Sequence, residues 1–250
     1  MKRNYKFIIS YDGTRFYGWE KQPGKEMTIQ GKLETVLSKM TNAPADSPVS
    51  VIGAGRTDAG VHARATVANA ILDTDMTEEE IQVYMNTYLP EDISVNEVRI
   101  CSDRFHARYN ALGKTYRYTV WYGNSKPVFD RKYVTVLNQK PDVSKMRAAA
   151  QYLIGTHDYK SFCGNKKMKK STVRCVDTIN IEESGNYIRI YFHGNGFLQN
   201  MVRILTGTLL EVGYGNIPVD SVKEILEACD RQKAGPTAPP QGLCMMKVDY

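Results

Sequence analysis

The run Gly53-Ala-Gly-Arg-Thr-Asp-Ala-Gly-Val-His62 gathers three glycines, one arginine and one carboxylate. Glycines let the backbone take positive φ and let a ligand approach closely. Within this run Arg56 is the cation and Asp58 the lone acid. A phosphate cradle is one use of such a loop, but the spacing matches neither the Walker pattern nor G-x-G-x-x-G, and no lysine follows. By pattern alone, an Asp in a glycine-rich turn is more often a turn or cap residue than a reactive group.

A second candidate is Arg203, the only charged residue from Gly194 to Leu210. On a helix, Leu198, Met201, Val202, Leu205 and Leu209 share a face, and Arg203 lies in the sector with Asn200 and Gly207. Packed inside, its guanidinium needs a carboxylate or phosphate, because an unpaired buried charge costs several kcal/mol. Otherwise it snorkels to solvent. Asp58 is an available partner.

The third is Tyr116 in the Tyr116-Arg117-Tyr118 strand. Alternation puts Tyr116, Tyr118 and Val120 on one face, with Arg117 and Thr119 on the other. Tyrosines in a basic protein can stack nucleobases, although tyrosines that fill a sheet-facing core are commoner. A fourth feature is the segment Lys160–Arg174. It holds Lys160, Lys166, Lys167, Lys169, Lys170 and Arg174 with no acid among them. Having no helical period, it is expected to be an exposed loop, either simply solvated or neutralised by a nucleic-acid backbone.

Composition narrows the class. The chain has 250 residues, with 33 Lys and Arg against 27 Asp and Glu, for a net charge of +6. It is 42% hydrophobic, too apolar for disorder. No apolar run approaches the roughly 20 residues that span a bilayer. The opening Met1-Lys2-Arg3-Asn4 leads straight into a strand-like segment rather than a signal peptide, so a cytoplasmic location is expected. Cys101, Cys163, Cys175, Cys229 and Cys244 are odd in number and lack any CxxC, which argues against a disulfide framework or a structural zinc. The four histidines, His62, His106, His157 and His193, lack metal-ligand spacing, so no metal is expected.

These groups need elements to position them. Tyr5, Phe7, Ile9 and Tyr11 alternate in a strand that ends at Asp12-Gly13. Ile29, Leu33, Val36, Leu37 and Met40 recur at helical spacing behind Thr28 as N-cap. Strands are expected over 49–54, 66–72 and 94–101. Thr77 and Glu80 form a capping box for a helix that stops near Pro90. The second half repeats the alternation. Its strands are expected over 115–122, over 178–182 and 187–193 as a hairpin, and over 243–249. Its helices are expected over 144–154, with Gly155 as C-cap, over 198–210, and over 219–229. The fold class predicted is α+β: two similar α/β halves, residues 1–104 and 105–250, forming a mixed, mainly antiparallel sheet flanked by helices.

Gly55-Arg-Thr-Asp-Ala-Gly-Val-His62 closely resembles the signature of the tRNA pseudouridine synthase A (TruA) family. Tyr11-Asp-Gly-Thr-Arg-Phe-Tyr-Gly-Trp19 is similar to that family's opening segment. Phe105-His-Ala-Arg108, Lys114-Thr-Tyr-Arg-Tyr118, Asn200-Met-Val-Arg203 and Gly242-Leu243 follow in the expected order. Thr66, Ala70 and Ile204 depart from the family pattern, at positions expected to lie beside the site. The resemblance implies an isomerase that converts uridine to pseudouridine at positions 38 to 40 of the tRNA anticodon stem-loop. It also implies a homodimer, no cofactor or metal, and an RNA-binding cleft between the halves. Asp58 would be the nucleophile, Arg203 its ion-pair partner, Tyr116 the ring on the flipped uracil and Arg56 the residue that assists base extrusion. An arginine partner would keep the carboxylate ionised and aimed, and stacking on Tyr116 would offset the cost of unstacking the target base. Lys166, Lys167, Lys169, Lys170 and Arg174 are expected to contact the tRNA backbone. Two rival readings are a non-catalytic RNA-binding module on the same scaffold and a nucleotide-phosphate-binding protein.

Overall fold

A computed structural model describes residues Met1 to Tyr250. The chain forms two compact units, one of Met1–Leu112 with Met245–Tyr250 and one of Gly113–Cys244. No helix is long and apolar enough to cross a membrane.

In the first unit, β1 (Lys2–Tyr11) buries Tyr5, Phe7, Ile9 and Tyr11, the period-2 face visible in the sequence. It lies between β3 (His62–Asp73) and β4 (Ile93–Cys101), antiparallel to both. The sheet order is β4-β1-β3-β10, the last being the Leu243–Asp249 strand, and β2 (Ile52–Gly53) pairs with β3. The strand expected over 49–54 shrinks to these two residues for a local reason. Side chains of α1 (Ile29–Met40) occupy the backbone groups that a ladder would need. Glu34 accepts from Val51 N at 3.1 Å, Gln30 donates to Val51 O at 3.0 Å, and Ser38 accepts from Val49 N at 2.9 Å.

Both helix starts of this unit follow from their caps. Thr28 accepts from Gly31 N at 3.2 Å, and Ile29, Leu33, Val36 and Leu37 face inward. In α2 (Glu78–Tyr88), Thr77 Oγ1 accepts from Glu80 N at 3.2 Å while Glu80 accepts from Thr77 N at 2.8 Å. Ile81 and Met85 pack inward. Thr77→Ala removes a half of this reciprocal pair. It is expected to cost about 1 kcal/mol, a melting shift of roughly 2–4 °C by calorimetry.

In the second unit the order is β5-β9-β8-β7, all antiparallel: β5 (Gly113–Tyr122), β9 (Tyr187–Gly194), β8 (Val173–Ser184) and β7 (Gly155–Asp158). The short β6 (Thr135–Leu137) runs parallel beside β5, so the sheet is mixed but mainly antiparallel. The β8–β9 hairpin turns at Gly185-Asn186, as the sequence indicates. Gly155 does not cap α3 (Val143–Gln151). The helix ends earlier at Tyr152, and Gly155, with φ +118°, opens β7. The apolar helix α4 runs Met201–Gly213, three residues later at each end than expected, and its later start follows from the left-handed backbone of Asn200, φ +58°. Apart from Arg203 and Glu211 it is buried throughout, and α5 (Ser221–Glu227) follows.

Candidate active site

Asp58 sits in the loop between β2 and β3, and the Tyr11–Trp19 segment fixes that loop from one side. The Tyr11 and Thr57 hydroxyls are 2.8 Å apart and buried. Trp19 N donates to Thr57 O at 3.1 Å, and Gly60 N donates to Phe16 O at 3.4 Å. Behind the loop, Ala54 N donates to Val67 O at 2.7 Å, and Gly13 N donates to His62 Nδ1 at 3.0 Å. The buried Trp19 ring lies against Gly53, where a Cβ would come within 2.4 Å of it.

Asp58 itself opens a turn, its carbonyl accepting from Val61 N at 3.2 Å. Its neighbour Thr57 points inward and is 8% exposed, so Asp58 is left half-buried on a backbone that cannot shift freely. Arg56 points outward, and its Nη2 is 2.5 Å from Glu20 Oε1. The structure therefore brings Arg56 and Asp58 onto one braced turn. Neither Glu20 nor the Tyr11–Thr57 pair is legible in the sequence, since neither contact follows any period.

The Phe105–Arg108 motif is held in the same unit by two buried asparagines. Asn69 accepts from Ala107 N at 2.8 Å, and Asn4 donates to Phe105 O at 2.9 Å. Tyr250 closes the arrangement by donating to Ala107 O at 2.7 Å. Asparagine is depleted in strands, so two of them inside β1 and β3 are a legible signal of this polar anchor.

In the second unit, Tyr116 lies on the buried face of β5, at 7% exposure, with Phe197 edge-on at 5.3 Å between centroids. Phe197 opens the short segment that leads to Arg203. The Arg203 guanidinium is aimed by two donations, Nε to Ala238 O at 2.7 Å and Nη1 to Asn200 Oδ1 at 2.8 Å. Arg203 O in turn accepts from Ala238 N at 3.1 Å. The 236–238 segment comes this close because residue 207 of α4 is glycine. A Cβ there would lie 1.8 Å from Pro236 O. Arg203 neither snorkels freely nor waits for a partner: its fork is oriented. Close by, Tyr118 donates to Pro239 O at 2.7 Å, and burial pushes its phenol above the ordinary range, against a hydrogen bond with Thr135 and the Arg203 charge.

The basic segment is a loop for most of its length, with a single 3-10 turn at Lys160–Phe162 whose Ser161 and Phe162 are buried. Lys166, Lys167, Lys169 and Lys170 are exposed. Arg174 is half-buried in β8 and donates from Nη1 to Ser171 O at 3.0 Å. The loop starts against the Arg203 support, since Gly164 N donates to Gln199 O at 2.8 Å. Two of the second-unit features, Arg203 and the lysine loop, are thus anchored on one segment, Phe197–Asn200.

The three departures from the family pattern are all packed inside. Thr66 and Ile204 are 0% exposed and Ala70 is 1% exposed. They fill cores rather than lining a surface that a substrate could touch.

A family model described as tRNA pseudouridine synthase matches residues 7–110 and 149–250. Arg56, Asp58 and Arg203 lie in the matched stretches, and Tyr116 lies in the interval between them. A Clostridium tetani protein named tRNA pseudouridine synthase A 1 is 47% identical over 248 residues, covering 99% of this chain and 100% of its own. A Bacillus cereus protein named tRNA pseudouridine synthase A 2 is 43% identical over 247 residues, 99% of each. A tRNA pseudouridine synthase A from Bacillus sp. (strain KSM-64) is 46% identical over 232 residues, 93% of each. With the Asp58 turn inside the matched stretch and identity sustained over nearly the whole length, this chain belongs to the tRNA pseudouridine synthase family.

Proposed function

We propose that this protein isomerises uridine to pseudouridine at positions 38 to 40 of the tRNA anticodon stem-loop, with Asp58 as nucleophile and no cofactor or metal. The observation that carries this reading is the Asp58 turn: a half-buried carboxylate on a backbone held at Thr57 by both Tyr11 and Trp19. A carboxylate meant only to cap a turn has no need of such bracing. One meant to meet a reacting carbon does, because catalysis loses steeply with misplacement.

The reaction breaks the bond between ribose C1′ and uracil N1, turns the base and joins C1′ to C5. The C5 proton leaves and N1 gains one, so substrate and product are isomers. Asp58 would act covalently while the base is detached. Arg203, with its fork already aimed, serves as the second charged group of the site. Tyr116 packs on the uracil, and Arg56, on the outer side of the turn, assists extrusion of the base from the RNA stack. Loop bases are easier to extrude than paired ones, which suits an anticodon-loop target. The working form is a homodimer in the cytoplasm.

Loss of the C5 proton gives the test. Incubation with tRNA labelled with tritium at uridine C5 is expected to release tritium into water. A protein that binds the tRNA and releases none is a binding module, and the proposal fails.

Backbone contact by the basic loop is part of the same proposal. Replacing Lys166, Lys167, Lys169 and Lys170 together by alanine is expected to weaken tRNA binding. It should also make the salt dependence of log Kd shallower by roughly 0.7–0.9 for each phosphate no longer neutralised. An unchanged slope in a salt titration removes the loop from the interface.

A further inference from the structure

The segment between β5 and β6 carries a feature that the Asp58 chemistry does not use. Phe129 is 93% exposed, with Val128 at 59% beside it. The segment is not a frayed excursion. Pro127 before them and Val134 after them are buried, Trp121 Nε1 donates to Ser125 O at 2.9 Å, and Tyr133 N donates to Asp130 O at 2.7 Å. Arg131 donates to Val128 O, and the Tyr187 hydroxyl donates to the Asp130 carboxylate. Tyr187 packs edge-on against Trp121 at 4.7 Å. The loop is thus pinned on both sides of its tip, and it holds a phenyl ring in water.

Its charges are as directional as its ring. Lys126, Arg131 and Lys132 are exposed around the tip, and Asp130 is the only acid between Gly123 and Lys140. That one carboxylate is turned onto Tyr187. The exposed apolar groups are therefore interleaved with cations rather than gathered into a charge-depleted patch, which is what a protein–protein interface centres on. A protruding ring among cations is suited to a nucleobase face with phosphates on either side. The segment lies between the two stretches that the family model matches, and outside the motifs that carry the family resemblance.

We propose that Phe129 stacks on an unpaired base of the tRNA other than the target uridine, with Lys126, Arg131 and Lys132 on the adjoining phosphates. The inference rests on the tRNA reading above and adds a contact point to it.

The test compares wild type, Phe129→Ala and Phe129→Trp for binding to an unmodified full-length tRNA transcript by fluorescence anisotropy. Sedimentation of each protein without RNA is measured in parallel. The expected result is a Kd roughly five- to a hundredfold weaker for Phe129→Ala, with KM rising in proportion, and restoration by Phe129→Trp. A Kd within about twofold of wild type overturns the proposal. So does a weaker Kd that comes with an altered sedimenting mass, which would assign the tip to contact between copies of the chain. A wild-type protein that binds the transcript but makes no pseudouridine defeats the catalytic reading instead, and the Phe129 comparison still reports on the loop.

Discussion

Asp58→Ala is expected to lower turnover by more than about 10⁴-fold while still binding tRNA, the scale seen when a covalent nucleophile is removed. The separation of the two effects follows from the loop. What holds the turn is Thr57, through its hydroxyl on Tyr11 and its carbonyl on Trp19 N, together with the backbone bond from Val61 to Asp58 O. None of these uses the Asp58 carboxylate. Because these backbone and Thr57 bonds remain, Asp58→Ala is expected to keep the turn, the outward Arg56 and the lysine loop in place. Single-turnover kinetics with saturating protein and a parallel binding titration measure both quantities. Turnover near that of wild type would remove Asp58 from the chemistry, and a joint collapse of binding and turnover would make it a structural residue.

Gly18→Ala is expected to damage stability and turnover together. Gly18 has φ +99°, and a Cβ there would lie 2.5 Å from Thr57 O and 3.1 Å from the Asp58 carbonyl carbon. Both neighbours are backbone, so they cannot swing aside as a side chain would. The left-handed conformation costs an L-residue about 1–2 kcal/mol, and forcing atoms into a packed contact adds about 1–3 kcal/mol. A loss of about 2–5 kcal/mol in total is expected from denaturant titration. In the fraction that stays folded, the relief runs through the Thr57-Asp58 peptide, so turnover should fall by about a hundredfold for a shift of the order of 1 Å. Gly24→Ala is the control. That glycine also has positive φ, +72°, but nothing stands within 4 Å of its added Cβ. It should cost about 1 kcal/mol in stability and nothing in turnover. Equal turnover losses in the two variants would mean that the bracing of the loop by Gly18 has no part in catalysis.

Much of the fold is legible where the cause is local. The alternation of Tyr5, Phe7, Ile9 and Tyr11 marks β1, Thr28 and the Thr77–Glu80 box mark two helix starts, and Gly185-Asn186 marks the hairpin. The misses share a different cause. Val49 and Val51 have strand-forming side chains, but helix side chains take their backbone groups, which no propensity reports. The three residues of β6 are a strand only because β5 lies beside them in parallel register. Asn200 resembles the body of a helix, but its left-handed backbone delays the start of α4 and frees its side chain for Arg203.

The site divides along the same line. Asp58 and Arg56 can be found by residue type in a glycine-rich run, and Arg203 by its isolation in an apolar one. Their supports cannot. Glu20, Tyr11, Phe197 and Ala238 reach the site residues across separations that have no period, and their roles exist only in the folded chain.

Asp58 is proposed to drive formation of pseudouridine within the anticodon stem-loop. The most direct test is base-resolution mapping of pseudouridine in an unmodified tRNA transcript after incubation with wild-type protein or with Asp58→Ala, without added cofactor. Pseudouridine is expected at one or more of positions 38 to 40 with wild type and at none of them with the variant. Uridine left unconverted at those positions by wild type, or conversion by Asp58→Ala at a comparable rate, would contradict it.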